Sequence, residues 1–445
     1  MTLRFGTDGV RGAANTELTP ELALALGRAA ARTLGPGPWL VGRDTRISGP
    51  LLHAAFAAGL ASEGATAVDL GVIPTPGVAY LAAADQVPGA MISASHNPFA
   101  DNGIKLFATG GLKLDDATEQ RIEVELAAIE AEGIPGSERR PGGTLVGAMR
   151  SAPDAWERYA HHMEDAVLEG RRLAGLRVVV DCAHGAASYV APRVLAHLGV
   201  AVTVLHADPD GSNINDRCGS NHTEVLQTAV LARGADAGLA FDGDADRVVA
   251  VDATGEVVDG DQIIALLALD LRERGLLRHD GVAVTVMTNL GFRRAMDAAG
   301  IHVVETAVGD RHVLTALAEH DLSLGGEQSG HVVLRDWATT GDGLLTGLAV
   351  LDVMVRTGRS LGDLASAMTR LPQVLVNVKV NGDARRAVAD LAPNVAQAEI
   401  ELAGRGRVLV RPSGTEPLVR IMVEAPTADE ATAVAHRLAE VLPHP

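Results

Sequence analysis

Apolar runs long enough for one buried strand alternate with helix-length amphipathic stretches along most of this chain, and that alternation constrains its fold more than any other feature. A parallel strand pair needs a crossover of helix length, so the pattern specifies βαβ units. Thr19 as N-cap, Pro20 at the first helical position and Gly35 just past the end frame a helix over Glu21–Leu34. Strands are predicted near Trp39–Gly42, Thr66–Leu70 and Gly89–Ile92, with helices opened by Pro50 and by Thr75 and Pro76 between them. A polar, turn-rich stretch at 135–144 marks a boundary. The pattern restarts with strands at Arg177–Asp181, Ala201–Leu205 and Gly238–Phe241, and again after Gly260 with strands at Val282–Met287, His302–Glu305 and Leu322–Leu324. The final segment has short connections between the alternating run Val374–Val380 and strands near Arg407–Val410 and Leu418–Val423, which predicts an antiparallel α+β unit.

The expected architecture is therefore α/β: three similar α/β domains with mixed sheets and a smaller α+β C-terminal domain around a central cleft. The expected spans are 1–145, 146–255, 256–370 and 371–445. Across 445 residues, 38 Lys+Arg against 56 Asp+Glu leave a formal charge of −18, the wrong sign for nucleic acid or an anionic membrane. A phosphorylated small molecule needs only a local cluster of cations and stays open. Cys182 and Cys218 alone make neither a disulfide framework nor a zinc site, which suits a reducing compartment. The N-terminal residues lack the apolar core of a signal peptide, and no apolar run approaches the roughly 18 residues of a membrane span. A cytoplasmic protein is expected.

Each α/β unit carries a predicted strand into an unusual polar loop, and ligands of open α/β sheets bind beyond the carboxyl ends of strands. In Asp242-Gly-Asp-Ala-Asp-Arg247, three carboxylates at alternate positions repel unless a cation sits among them, and oxygen-only ligands suit Mg²⁺. An EF-hand beginning at Asp242 is excluded, since it needs glycine where Arg247 stands and glutamate where Ala253 stands. Arg247 balances the charge and suits a phosphate. Ser95, within Ser93-Ala-Ser-His-Asn-Pro98, lies in no acyl-hydrolase elbow, and the adjacent His96 is poorly placed as its base. The loop reads either as a capped turn or as a phosphoryl-carrying serine whose oxygens complete a metal shell. Lys105 follows ten residues on, and alone is a solvated lysine. The stretch Gly325–His331 offers Glu327, Ser329 and His331 on a glycine-flexed loop, either for sugar hydroxyls or as an ordinary turn. Arg411-Pro-Ser-Gly-Thr-Glu-Pro417 is either a hairpin loop or an anion nest, with Ser413, Gly414 and Thr415 flanked by Arg411 and Arg420. His53, His197 and His206 read as structural residues without partners, and Cys182 as buried and inert.

These four loops, in this order, resemble the α-D-phosphohexomutase superfamily over the whole chain: a catalytic-serine loop, a metal loop, a sugar loop and a phosphate loop. The segment Phe5–Gly12 and Gln328 resemble its glucosamine branch, while Pro412 replaces a frequent lysine. The resemblance implies reversible interconversion of glucosamine 6-phosphate and glucosamine 1-phosphate, feeding UDP-N-acetylglucosamine and cell-wall synthesis; glucose or mannose phosphates are the alternative substrates. It implies a phosphorylated Ser95, Mg²⁺ held by Asp242, Asp244, Asp246 and the Ser95 phosphate, and a glucosamine (or glucose) 1,6-bisphosphate intermediate. It further implies Lys105 and His331 as proton carriers beside Arg247. Arg11, His96, Glu327, Ser329, Arg411, Ser413, Gly414, Thr415 and Arg420 are the implied substrate contacts. The family architecture of four domains is often a homodimer.

Overall fold

A computed structural model of the chain describes residues 9–132, 140–381, 383–412 and 418–442. They form two compact units. One spans Met1–Val286 with His302–Ala365, and the other Met287–Ile301 with Ser366–Pro445.

The first unit holds three mixed sheets. The six-stranded sheet runs in the order Val10–Ala13, Asp101–Phe107, Gly89–Ile92, Trp39–Arg43, Ala67–Val72, Met149–Ser151. Its last four strands are parallel to one another, and Asp101–Phe107 runs antiparallel to both of its neighbours. Met149–Ser151 lies beyond the boundary expected at 145 yet completes this first sheet. The second sheet runs Val257–Val258, Val248–Asp252, Ala237–Phe241, Arg177–Asp181, Ala201–Leu205, and the third His302–Thr306, Gly281–Thr285, Leu324–Gly326, Val332–Leu334. The three sheets share one device. A strand with a parallel neighbour ends in a polar loop and returns as an antiparallel partner: Gly89–Ile92 as Asp101–Phe107, Ala237–Phe241 as Val248–Asp252, Leu324–Gly326 as Val332–Leu334. The loops that carry Ser95, Asp242–Arg247 and Glu327–His331 are these three hairpin connections. The sequence reading found the outgoing strands but not the returning ones.

Local signals produced the helices. Pro20–Leu34 begins where Thr19 Oγ1 accepts the Leu22 N–H at 3.3 Å, and it ends at Gly35 with φ +103°. Its neighbour Gly49–Ser62 packs so closely that a Cβ at Gly27 would strike the Phe56 carbonyl and one at Gly59 the Leu24 carbonyl. Small Ala and Gly side chains let these helices cover the first sheet, with Trp39 and Phe56 edge to face at 6.3 Å in the core. In the second unit, Gln373–Lys379, Leu418–Glu424 and Arg407–Pro412 lie side by side in that order as an antiparallel sheet, as expected, although helix Ala384–Leu402 rather than a short connection joins the first of them to Arg407–Pro412. Buried Glu424 accepts the Leu290 N–H at 2.9 Å and pairs with Arg407 at 3.0 Å, fixing helix Leu290–Ala298 to that sheet. Among the described residues, no helix is long and apolar enough to cross a membrane.

Candidate active site

Ser95 sits in the first hairpin connection with φ +51°, a left-handed conformation that costs a non-glycine residue energy and must be enforced by its surroundings. Arg46 enforces it. This wholly buried guanidinium donates to the carbonyls of Ser95 (2.9 Å), Asn97 (2.8 Å), Asp101 (3.1 Å) and Pro98, and pairs with Asp44 at 2.9 Å. Asp44 accepts the Ser93 hydroxyl at 2.6 Å, and Ser93 Oγ accepts the Ser95 N–H at 3.0 Å. From the second sheet's side, Asn215 Nδ2 donates to the same Ser95 and Asn97 carbonyls, at 2.9 and 3.0 Å. The loop is clamped from both sides, and the hydroxyl is aimed.

Its target is the aspartate loop, Asp242–Arg247. Ser95 Oγ donates to Asp242 Oδ2 at 2.6 Å, and Gly243 lies so close to Ser95 that a Cβ there would stand 2.5 Å from the serine carbonyl. His96 Nδ1 also reaches Ser95 Oγ, at 3.3 Å, closer than a residue adjacent in sequence was expected to come. Burial, with Arg247 and Arg11 nearby, holds the His96 imidazole below its ordinary range, so it is neutral.

Asp242, Asp244 and Asp246 are all buried, and one carboxylate oxygen from each lies within 4.8 Å of the others. Burial first, and then its two neighbours, push Asp242 far above the ordinary carboxylate range. Thr75 Oγ1 donates to Asp244 Oδ2 at 2.6 Å, leaving Asp244 Oδ1 and Asp246 Oδ1 buried without hydrogen-bond partners. Convergent, unsatisfied oxygens in a hard donor set fit a divalent cation taking oxygen ligands. Three carboxylates leave positions for a phosphate oxygen, as Mg²⁺ sites do.

Lys105 arrives from the returning strand, where it is register partner to Met91. Its Nζ is 3.5 Å from Asp246 Oδ2 and 3.8 Å from Asp244 Oδ2. His331, at the end of the Gly325–His331 stretch, places Nδ1 3.5 Å from the same Asp246 oxygen. Gly341 N–H donates to His331 Nε2 at 3.1 Å, and a Cβ at Gly341 would stand 2.5 Å from the ring. Burial pushes His331 down, but Asp246 and Asp310 outweigh it and lift the imidazole above its ordinary value. Burial likewise pushes Asp246 up, and His331, Lys105 and Arg247 reverse that and hold it well below the carboxylate range. Asp310 is paired in turn with Lys113. Burial works against the charged form of Arg247, yet Asp246 and Asp242 raise it further, so it stays cationic beside the carboxylates. Lys105, His331 and Arg247 thus meet on one carboxylate.

Elsewhere the sites are looser. Glu327 accepts the Gly309 N–H at 3.1 Å, and Ser329 is exposed. Arg11 is half-buried on Val10–Ala13, beside the returning strand that carries Lys105. In the second unit Arg411 and Arg420 are direct cross-strand partners. Burial and Arg420 both lower Arg411, and Arg420 Nε is buried without a partner. Ser413, Gly414 and Thr415 lie outside the described residues. The three histidines expected to lack partners do have them: His53 with Asp69 at 3.3 Å, His197 with Glu164 at 3.7 Å and His206 with Asp181 at 2.9 Å. Arg46, Thr75, Asn215 and Asp310 were missed altogether. Each is one polar residue in an unremarkable context, and its partner lies far along the chain.

A serine aimed at clustered carboxylates, with a lysine and a histidine anchored on them, belongs to the phosphoryl-transferring phosphohexomutase class. Residues 2–133, 157–255 and 259–371 match phosphoglucomutase/phosphomannomutase alpha/beta/alpha domains I, II and III, and residues 375–441 match the C-terminal domain. The chain belongs to the phosphoglucomutase/phosphomannomutase family. Its curated relatives include the phosphoglucosamine mutases of Mycobacterium marinum, 56% identical over 98% of this chain and 97% of the relative, and of Salinispora arenicola, 55% identical over 98% and 97%. Among solved structures, a phosphoglucomutase/phosphomannomutase family protein from Burkholderia thailandensis superposes with TM-score 0.80 at 25% identity, covering 97% of this chain and 96% of that one. The Aspergillus fumigatus N-acetylphosphoglucosamine mutase, solved with GlcNAc-6P and magnesium, shares the fold at TM-score 0.67 and 17% identity, covering 99% and 95%.

Proposed function

We propose that this enzyme interconverts glucosamine 6-phosphate and glucosamine 1-phosphate, with Ser95 as phosphoryl carrier. The observation that carries the reading is the 2.6 Å contact of Ser95 Oγ with Asp242 inside a carboxylate set that also anchors Lys105 and His331. In the first half-reaction the P–Oγ bond of phospho-Ser95 breaks and a bond from phosphorus to the sugar O1 forms, giving a 1,6-bisphosphate. The hydroxyl proton passes to a base, for which Lys105 and His331 are the candidates. In the second half the turned intermediate returns its 6-phosphoryl group to Ser95, and the departing O6 regains a proton. Asp242, Asp244 and Asp246 would hold a Mg²⁺ ion, which when bound would neutralise charge on the transferring phosphoryl group.

Arg247 extends that neutralisation, and neutral His96 packs beside the carrier without adding charge. Glu327 and Ser329 grip sugar hydroxyls, while Arg11, Arg411, Arg420, Ser413, Gly414 and Thr415 grip phosphate. Two arginines opposite one another destabilise an antiparallel pair unless an anion sits between them, which favours a phosphate there. The relatives' names favour glucosamine over glucose and mannose phosphates. On this reading the cytoplasm is the expected location, and light scattering decides between a monomer and the homodimer frequent in the family.

The decisive experiment is a coupled assay of purified protein across glucosamine, glucose and mannose 6-phosphates, with phosphopeptide mapping. Glucosamine 6-phosphate should be preferred, phosphate should map to Ser95, Ser95→Ala should lose nearly all turnover, and chelation should abolish activity until Mg²⁺ is restored. Preference for glucose or mannose phosphate would overturn the substrate assignment alone. Steady release of inorganic phosphate would make the protein a phosphohydrolase, and full activity without metal would remove the cation.

A further inference from the structure

A second donor cluster lies behind the serine loop. Asp181 ends its strand, His206 directly follows the neighbouring strand, and Cys218 comes from the following loop; one ligand atom from each lies within 4.8 Å of the others. Asp181 and Cys218 are buried, while the His206 side chain is one-quarter exposed and opens the cluster to solvent. The donor set is carboxylate, imidazole and thiol, which suits zinc-class cations and disfavours Mg²⁺. His184 stands against His206 with ring centroids 5.2 Å apart, and its Nδ1 is buried without a hydrogen-bond partner. It is the candidate fourth donor.

The cluster is wired to the carrier. Asp181 Oδ1 accepts the Ala183 N–H at 2.9 Å, and the Ala183 carbonyl accepts the Asn215 N–H at 3.0 Å. Asn215 side-chain nitrogen holds the Ser95 and Asn97 carbonyls, and Cys218 lies three residues further along the same loop. From the other side, Thr45 donates to the His184 carbonyl at 2.6 Å, beside Asp44 and Arg46. Asn215 and Arg217 have positive φ, at 60° and 51°, so the loop already holds strained backbone. Tetrahedral zinc with bonds of about 2.0–2.3 Å sets its donors about 3.3–3.8 Å apart, wider than the 2.9 Å hydrogen bond between His206 Nδ1 and Asp181 Oδ2. Binding therefore breaks that bond and shifts Asp181, which holds the Ala183 N–H.

We propose that Asp181, His206 and Cys218 form a second metal site for a thiophilic divalent cation of the zinc class, and that its occupancy displaces Asn215 and loosens the Ser95 loop. Cys218 binds as thiolate, and its proton goes to solvent. The site would make turnover sensitive to zinc even when Mg²⁺ is saturating.

Cobalt(II) is the probe for binding, because thiolate ligation gives a charge-transfer band that the oxygen-only aspartate triplet cannot give. Wild-type protein should develop the band up to one cobalt per chain. Cys218→Ser should abolish it, His206→Ala should weaken it, and Cys182→Ser should leave it intact. Under saturating Mg²⁺, zinc should lower wild-type turnover about tenfold or more, and Cys218→Ser should remain active. No band in the wild type, or a band that survives Cys218→Ser, would overturn the site. A Cys218-dependent band without loss of turnover would overturn its link to Ser95. The band needs no mutase activity, so this test stands apart from the test of the proposed reaction.

Discussion

At the serine–aspartate centre each functional group is held by partners remote in sequence, whereas Arg411 and Arg420 stand nine residues apart, opposite each other across one antiparallel register. Ser95 meets Asp242 across 147 positions, and Thr75 meets Asp244 across 169. A centre that transfers a phosphoryl group needs its geometry fixed before substrate arrives, because preorganised charge adds no reorganisation cost at the moment of reaction. A site that only grips a phosphate can tolerate local, half-buried cations. The contrast predicts where substitutions hurt most, and how.

The largest effect should come from the clamp. Arg46→Met removes a buried cation from Asp44 and four carbonyls, and breaking such a network costs about 3–5 kcal/mol. Urea unfolding should show that loss, and residual folded protein should lose turnover because Ser95 is no longer held at positive φ. An Arg46→Met variant with wild-type stability would refute the preorganised half of the contrast.

Next come the binding residues. Losing a charge-assisted hydrogen bond costs about 1.5–3 kcal/mol, or roughly 10–150-fold. Arg411→Ala should spend that loss on KM and on escape of the bisphosphate, so added glucose 1,6-bisphosphate should restore much of the rate. Glu327→Ala should instead depress both directions by similar factors, because the sugar is gripped in both orientations. If Arg411→Ala lowered kcat with KM unchanged, the small sheet would be part of the chemistry and the contrast would collapse.

Thr75→Val is a finer probe. It takes away the 2.6 Å bond that orients Asp244, leaving the ligand itself in place. Outer-shell changes of this kind typically cost about 10–100-fold in metal affinity or activity. The Mg²⁺ concentration giving half-maximal activity should rise by about that factor, with most of kcat regained at saturation. Unchanged Mg²⁺ dependence would show that Asp244 needs no support.

The same contrast explains what the sequence could disclose. Helix Pro20–Leu34 was legible because its caps are local, and the aspartate triplet because repulsion among neighbouring carboxylates is a local signal. The strand Asp101–Phe107 was not, since Gly103 and the preceding Pro98 mask its alternation, and with it went the register that delivers Lys105 opposite Met91. Arg46, Thr75, Asn215 and Asp310 carry no local signature, because their meaning lies in partners on other strands. His206 read as an isolated residue for the same reason: Asp181 reaches it only through sheet pairing.

A last effect lies at the edge of the preorganised centre and is read as a pH slope. Asp342 caps helix Gly343–Thr357 by accepting the Leu345 N–H at 2.9 Å, and both its oxygens accept the Tyr159 hydroxyl at 2.9 Å. Burial, only partly offset by those bonds, lifts its carboxyl from 3.8 to about 6. Between those values the folded chain keeps a proton that the unfolded chain has released, so this group's contribution to stability falls as pH rises. Below the lower value both states are protonated and the penalty vanishes; above the upper value it is complete. Asp342→Asn stays neutral throughout and preserves the cap acceptor. Its stability relative to wild type should therefore climb across that window, by at most about 1.4 kcal/mol per pH unit, and level off above it. Urea midpoints measured at half-unit steps would show the two curves diverging. Parallel curves would mean that the Tyr159 and helix-cap bonds compensate the burial of this carboxylate in full, extending the fixed geometry of the centre to its border.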